Sequence, residues 1–381
     1  MRIVVAPQEF KGTLTAREAA EAMAEGAKRA APDVTIEITP LSDGGPGLVE
    51  TILMSSVGRP RRTLVQDPLG RTIEAQWAVL EDGAAVIESA AAAGLSLVSG
   101  AERDPRVTTT YGVGQLIQAA LDAGCRRIIV GLGGSATNDG GAGMAAALGV
   151  RFLDAAGETL PPGGAALARL DRIDVSGLDP RPAKAYVVAA TDVTNPLCGP
   201  EGASLVYAPQ KGASPEVARE LDAALWHYAE IVERDVGVSV LIRPGAGAAG
   251  GLGAGLIAFA RAEVQPGFEV VSQAMGLRER IRGADLLLTG EGRLDGQTGY
   301  GKTVAGVARM AAECGVPVIV TPGTLGEGWE ALLDFAEAIE PVARDATTEA
   351  EALARPDETL SATVEQAVRA WLAARSAAEE T

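Results

Sequence analysis

The apolar run Arg127-Ile-Ile-Val130 opens directly into Gly131-Leu-Gly-Gly-Ser-Ala-Thr-Asn-Asp-Gly-Gly-Ala-Gly143, which leads into the helix-forming Met144-Ala-Ala-Ala-Leu148. Few architectures accommodate that order. A buried strand that passes through glycines into a helix start presents backbone N–H groups to an anion. Glycine lets the main chain approach closely, and the helix N-terminus carries partial positive charge. Ser135, Thr137, Asn138 and Asp139 add hydroxyls, an amide and a carboxylate at the same place. A simple tight turn needs fewer such residues, so this loop is read as a ligand loop.

The same theme recurs along the chain. Val4-Val-Ala-Pro7 runs into Gln8–Thr15, Ile36–Pro40 into Leu41-Ser-Asp43-Gly-Gly-Pro-Gly47, Tyr186–Ala190 into Thr191-Asp192-Val-Thr-Asn195-Pro196, and Asp285–Leu288 into Thr289–Gln297. Open parallel sheets bind ligands at the carboxyl ends of their strands, which would place these loops along one cleft. Between them the pattern alternates strand and helix. Thr15-Ala-Arg-Glu18 is a capping box for a helix whose apolar face continues through Ala19, Met23 and Ala27. Further strands are expected near 127–130, 185–190, 285–289 and 317–320. Helices are expected near 47–57, 114–123, 144–149, 302–314 and 361–375. From Arg61 to Ala90 short strands separated by Asp-Pro-Leu-Gly and Glu-Asp-Gly turns predict antiparallel pairing. The fold class is α/β with mostly parallel sheets.

At 381 residues with 47% hydrophobic and 22% charged content, the chain is globular and long enough for two domains. No apolar run reaches the length of a membrane span, and Met1–Pro7 reads as a first strand rather than a signal peptide. Cys125, Cys198 and Cys314 are widely spaced, so neither a disulfide framework nor a zinc knuckle is expected; the expected compartment is the cytoplasm. A net charge of −17 argues against nucleic-acid and membrane partners, leaving small molecules. His227 is the only histidine and lies within Leu221–Ile231, whose apolar residues recur at helical spacing. It reads as a helix-surface residue without a partner. Ser-His-Asp and Cys-His chemistry are thereby set aside, and acid–base work falls to carboxylates, lysine or tyrosine.

Two motif matches bear on nucleotides. Gly245-Ala-Gly-Ala-Ala-Gly250 fits the dinucleotide fingerprint, but it lies in a glycine-dense stretch with no clean strand leading into it. Gly296–Thr303 fits the P-loop pattern and precedes a helix, yet six residues separate it from the strand ending near Thr289. It reads as phosphate-binding geometry without the P-loop fold.

Seven ordered blocks carry a more specific signal. They are Ala6–Gly12, Pro40–Gly45, Thr109-Thr-Tyr-Gly112, Gly131–Gly143, Ala190–Pro200, Pro244–Gly255 and Thr289–Thr298. In this order, across residues 3 to about 370, the chain resembles the type I glycerate kinase family, which in bacteria mostly comprises glycerate 2-kinases. Gln8-Glu9 stands where Asp-Ser is more usual, Pro46 where an acidic residue is common, and Thr321–Thr324 where a Gly-Ser-rich segment is usual. The resemblance implies phosphorylation of D-glycerate by ATP with Mg²⁺, at the 2-hydroxyl. It also implies two α/β domains: a Rossmann-like one from residues 1–60 plus 288–381, and an inserted flavodoxin-like one from 61–287. Oligomeric state is left open. Alternatives are a kinase of another small hydroxy acid or sugar acid, a dinucleotide-dependent oxidoreductase using Gly245–Gly250, and a non-catalytic binding protein.

Phosphoryl transfer requires cations and amides for the anions, carboxylates for the metal, and an acceptor for the hydroxyl proton. Lys11, directly after the first strand, is the candidate for phosphate or carboxylate charge. Asp192 is the candidate base or hydroxyl-orienting residue, with an Asx-turn to Thr194 and Asn195 as the structural alternative. Asp43 and Asp295 are candidates for Mg²⁺. Ser135, Thr137, Asn138, Asn195, Gln297 and Lys302 are expected at substrate or phosphate. Arg293 would clamp an oxyanion or pair with Glu291.

Overall fold

The structure is a computed structural model that describes residues 1–55, 58–295 and 303–379. In chain order the elements are β1 (Arg2–Val5), α1 (Ala16–Ala30), β2 (Thr35–Ile38), α2 (Leu48–Met54), β3 (Gly58–Gln66), β4 (Thr72–Leu80), β5 (Ala85–Glu88) and α3 (Ala90–Ala93). There follow α4 (Tyr111–Asp122), β6 (Arg127–Gly131), α5 (Ala142–Ala147), β7 (Arg151–Leu153), β8 (Arg172–Asp174), β9 (Tyr186–Ala190), α6 (Ala203–Tyr207) and α7 (Pro215–Val236). The chain continues with α8 (Ala248–Ala260), β10 (Glu263–Gln265), α9 (Gly267–Ala274), α10 (Leu277–Ile281), β11 (Leu286–Thr289) and β12 (Arg293–Leu294). It closes with α11 (Thr303–Glu313), β13 (Val318–Val320), β14 (Thr324–Leu325), β15 (Ala338–Ile339), α12 (Ala346–Ala354) and α13 (Pro356–Glu379). No helix among the described residues is long and apolar enough to cross a membrane.

Two compact units emerge. One comprises Met1–Asp43, Glu50–Val57 and Phe268–Thr381; the other comprises Gly44–Val49 and Gly58–Gly267. In the first, a parallel sheet runs in the order β15-β13-β11-β1-β2. Its strands alternate strictly between two cores. Ile3, Val5, Leu286, Leu288 and Ile319 face α1 and α13, whereas Val4, Leu287, Val318 and Val320 face α10 and α11. A sheet buried on both faces must read as continuous apolar runs, which is why these strands are uniformly aliphatic. The capping box forms as the sequence requires: Thr15 Oγ1 accepts from Glu18 N, and Glu18 Oε2 accepts from Thr15 N at 2.8 Å.

Residues 268–287 differ from the expected domain boundary. Phe268, Leu277, Ile281 and Ala284 pack with Val4, Leu287 and Val304, so this stretch belongs to the unit built from the chain ends. Its apolar side chains cover the second face of the β1/β11 sheet, and no composition change marks that choice.

The second unit carries a sheet in the order β10-β9-β6-β5-β4-β3. The antiparallel onset expected near Arg61 is present: β3 and β4 pair from Gly58↔Leu80 to Gln66↔Thr72, and β4 pairs antiparallel with β5. From β5 onward, pairing with β6, β9 and β10 is parallel. One face is covered by α3, α4 and α8 through Ala93, Val113, Leu116, Ile117, Leu252 and Leu256. A separate core gathers Phe152, Ile173, Leu225, Tyr228 and Phe259 under α7. The β7–β8 hairpin in that region was not anticipated; its strands are three residues each, too short for a period-2 pattern to register.

Candidate active site

The Gly-rich loops do gather at the carboxyl ends of the parallel strands, in two groups, one in each unit. In the first unit Gln8 N donates to Gly290 O at 2.9 Å, Leu41 N to Pro7 O at 2.8 Å, and Thr289 Oγ1 to Ala6 O at 2.7 Å. Farther out, Gly323 N donates to Glu291 O at 2.9 Å. The loop after β11 comes so near the loop after β1 that a Cβ on Gly292 would lie 3.1 Å from Lys11 N.

Lys11 is exposed on this group, Asp43 is half-buried, and Glu9 lies close enough to feel both charges. Burial pushes the Glu9 carboxyl above the ordinary range; Lys11 opposes that shift and Asp43 adds to it. In the sequence Glu9 stands out only as a departure from the family pattern; its place beside Lys11 and Asp43 emerges from the fold. Arg293 in β12 and Asp295 just after it face each other at 4.0 Å, with Arg293 68% exposed. Such an open pair adds little stability. Gln297 and Lys302 lie outside the described residues.

In the second unit Ser89 N donates to Gly131 O at 3.0 Å, Leu132 N to Ala190 O at 2.9 Å, and Thr191 N to Gln265 O at 3.0 Å. Gly47 N donates to Glu88 Oε2 at 3.0 Å, bringing the Gly44–Gly47 loop to the same edge. Asp192 follows β9 as expected. The local turn is closed by Thr191 Oγ1, which accepts from Val193 N, while Asp192 Oδ1 accepts from Gly267 N at 2.7 Å at the start of α9. Asn195 is bound on both sides, donating to Glu201 O at 2.7 Å and accepting from Tyr207 Oη at 2.9 Å.

The Gly131–Gly143 loop is held more tightly than its composition suggests, and its polar side chains point inward. Asn138 Nδ2 donates to Ser204 Oγ at 2.8 Å, and Ser135, Thr137 and Asn138 are all buried. Asp139 is the internal anchor. It accepts from Thr110 N at 2.8 Å, Thr110 Oγ1 at 2.9 Å, Gly141 N at 3.1 Å and Gly143 N at 3.2 Å. Burial raises its carboxyl, and these donors pull the other way.

Lys211 reaches the loop from the turn after α6, donating to Ser135 Oγ at 3.0 Å and Thr137 O at 2.7 Å. Its side chain is among the largest wholly buried ones, and burial brings its ammonium down to about 7 against the opposing charge of Asp139. Tyr228 Oη completes the cage by donating to Gly140 O at 3.1 Å. Most of the loop is buried, and the N–H groups of Leu132, Ala136, Gly140, Gly141, Ala142 and Gly143 are donated to protein acceptors; Gly133 and Gly134 are its accessible part, where backbone can meet an anion.

Lys211 and the anchoring role of Asp139 were not legible in advance. A buried lysine carries no local signature; the nearest signal is Thr109-Thr110, within one of the family blocks. His227 likewise needs correcting. It has a partner, with Nε2 lying 2.6 Å from Leu170 O.

The glycine-dense stretch also acquires a structural reason. No strand leads directly into Gly245–Gly250; the segment follows α7 and irregular chain. Its glycines let backbone pass against backbone. A Cβ on Gly250 would sit 1.9 Å from Thr137 O, and one on Gly255 2.7 Å from Gly141 Cα. Gly140 N donates to Gly250 O at 3.1 Å, fastening the two loops together. This geometry disfavours the dinucleotide reading, which needs a strand–turn–helix at that point.

Fold and loops therefore define an α/β protein that presents structured glycine loops at the carboxyl edges of parallel strands, the setting for small anionic ligands. A sequence profile of the glycerate kinase family matches residues 3–372. The chain is 50% identical to a glycerate kinase of Halalkalibacterium halodurans over 87% of this chain and 88% of that one. It is 48% identical to the glycerate 2-kinase of Escherichia coli over 85% and 86%. A crystal structure described as putative glycerate kinase 2 from Salmonella typhimurium LT2 superposes with a TM-score of 0.85 at 44% identity, covering 99% of both chains. The chain belongs to the glycerate kinase family and is a phosphotransferase.

Proposed function

We propose that the enzyme transfers the γ-phosphoryl group of ATP to the 2-hydroxyl of D-glycerate, giving 2-phosphoglycerate and ADP. The two units would be a Rossmann-like domain built from the chain ends and a flavodoxin-like domain inserted between them. What supports the reading is the Gly131–Gly143 loop at the carboxyl end of β6, fastened internally with Gly133 and Gly134 accessible to an anion. Phosphoryl transfer is mostly positioning and charge neutralisation, and a preorganised loop of this kind supplies both.

Lys11 supplies positive charge to a phosphate or carboxylate. Asp192, held through one oxygen by Gly267 N, orients the attacking hydroxyl and accepts its proton. Asn195 and the 131–143 loop shape the surrounding surface, and Arg293, Gln297 and Lys302 contact phosphate or substrate oxygens. The donor set near Lys11 fits Mg²⁺: Asp43 offers a hard oxygen ligand, and the mutual repulsion of Glu9 and Asp43 is relieved by a cation. Asp295 is the second candidate ligand. When bound with ATP, Mg²⁺ would neutralise phosphate charge.

The test is the product itself. Incubation with ATP, Mg²⁺ and D-glycerate, followed by ³¹P and ¹H NMR, should give 2-phosphoglycerate. Formation of 3-phosphoglycerate would overturn the regiochemistry, and ATP consumption that does not depend on glycerate would overturn the substrate.

A further inference from the structure

Among the described residues, the Lys211 ammonium donates to a single loop. Its acceptors, Ser135 Oγ and Thr137 O, both lie within Gly131–Gly143, and the opposing charge that acts on it, Asp139, belongs to that loop too. An ammonium taken out of water costs several kcal/mol unless bonded and paired. A fold that wanted only a filled space at this point would be better served by a methionine or leucine. The cost is met here by contacts that fix a hydroxyl and a carbonyl two residues apart, on the segment between the end of β6 and the start of α5. Thr110 fastens the far end of the loop through Asp139 and Met144 N, and Ser204 fastens its middle through Asn138. Ala93, Leu95 and Thr108 hold the backbone at Gly134 and Ala136, and Lys211 adds the contacts to Ser135 Oγ and Thr137 O, beside the accessible Gly133-Gly134.

We propose that Lys211 is a positioning residue for phosphoryl transfer: through Ser135 and Thr137 it holds the Gly131–Gly143 loop in the conformation that presents the accessible Gly133-Gly134 backbone to the transferred group or its acceptor. The inference rests on the reading above that this loop serves the reaction. Lys211 itself is buried and touches no substrate.

Three variants test it: Lys211→Met, which keeps length and volume but loses charge and donors, Lys211→Arg, and Ser135→Ala. For each, kcat and KM for ATP and glycerate are measured together with hydrogen exchange of peptides covering 131–143 and of distant peptides in β3 and β4. Lys211→Met should lower kcat by about tenfold to a hundredfold, the scale of an ångström-sized misplacement, with both KM values within about threefold of the parent. Exchange should accelerate in the 131–143 peptides and not in β3 or β4. Lys211→Arg should recover part of the loss. Should Lys211→Met fail to fold, Ser135→Ala removes one of the two acceptors and should shift the same readouts in the same direction, more weakly. Unchanged loop exchange in the variants would overturn the positioning role. Faster loop exchange with full kcat would leave the clamp intact and instead remove the loop from the reaction, sinking the reading beneath. Acceleration spread equally over all peptides would reduce Lys211 to general stability and also overturn the proposal.

Discussion

Replacing Gly250 by alanine asks how closely the two glycine loops of the second unit depend on each other. Gly250 has φ +70°, and a Cβ there would lie 1.9 Å from Thr137 O, 2.7 Å from Thr137 C and 2.9 Å from Asn138 Cα. The left-handed backbone alone costs an alanine about 1–2 kcal/mol, partly offset by the 0.4–1 kcal/mol gained from a stiffer unfolded chain. The contact is the larger effect. No side-chain rotation relieves a Cβ against backbone, so the Thr137 carbonyl must retreat by about an ångström. That carbonyl accepts from Lys211 Nζ, and a hydrogen bond to a charged group is worth about 1.5–3 kcal/mol. The expected loss is therefore about 2–4 kcal/mol. In a unit of this size it should appear as a melting-temperature drop of about 5–10 °C. Turnover should fall by about a hundredfold, because the displaced loop is the proposed phosphoryl-transfer loop. Gly237→Ala is the control. It shares the positive φ, at +76°, but has nothing within 4 Å of its Cβ position, so it should cost only the backbone part and leave turnover intact. Calorimetry and steady-state kinetics on both variants decide the matter. A Gly250→Ala enzyme no less stable than Gly237→Ala, with kcat within about threefold of the parent, would refute the packing argument.

Other outcomes follow from the same structure. Lys11→Ala should lower kcat by about 10²–10³, the loss typical of one electrostatic transition-state contact, with melting temperature unchanged since the lysine is exposed; activity within about threefold of the parent would dismiss it. Asp192→Asn keeps an oxygen for Gly267 N and should fold normally while losing at least about 10² in turnover; full turnover would move the base elsewhere. Stability should depend on pH through Lys211. Its native value of about 7 lies below the ordinary 10.4 or so, so between them the unfolded chain holds the proton that the native one has released. That contribution is therefore complete above the ordinary lysine value and lost as pH falls through about 7. Asp139, raised by burial, acts in the opposite sense. Melting curves of the parent and Lys211→Met across pH 6.5–9.5 should diverge with this slope; parallel curves would show that Lys211 does not titrate there.

Much of the secondary structure was legible because strands and helices are encoded by local periodicity. Aliphatic runs of three to five residues gave β1, β6, β9, β11 and β13, and the Thr15–Glu18 capping box gave the start of α1. The glycine loops at the strand ends were equally visible, since glycine and Asp/Asn/Ser clusters mark where a strand must turn. Tertiary structure decided which way those loops face. Ser135, Thr137 and Asn138 read as ligand contacts in the sequence; in the fold all three are buried, Ser135 Oγ accepts from Lys211 and Asn138 Nδ2 donates to Ser204 Oγ, while Thr137 Oγ1 and Asn138 Oδ1 have no partner among the described residues. It also assigned residues 268–287 to the unit of the chain ends, because only packing shows which sheet face needs covering. Lys211 meets its acceptors across 76 and 74 residues of chain. A lysine is written the same way whether it will be solvated or buried, and only the assembled neighbours, by excluding water and supplying acceptors, make it a structural charge.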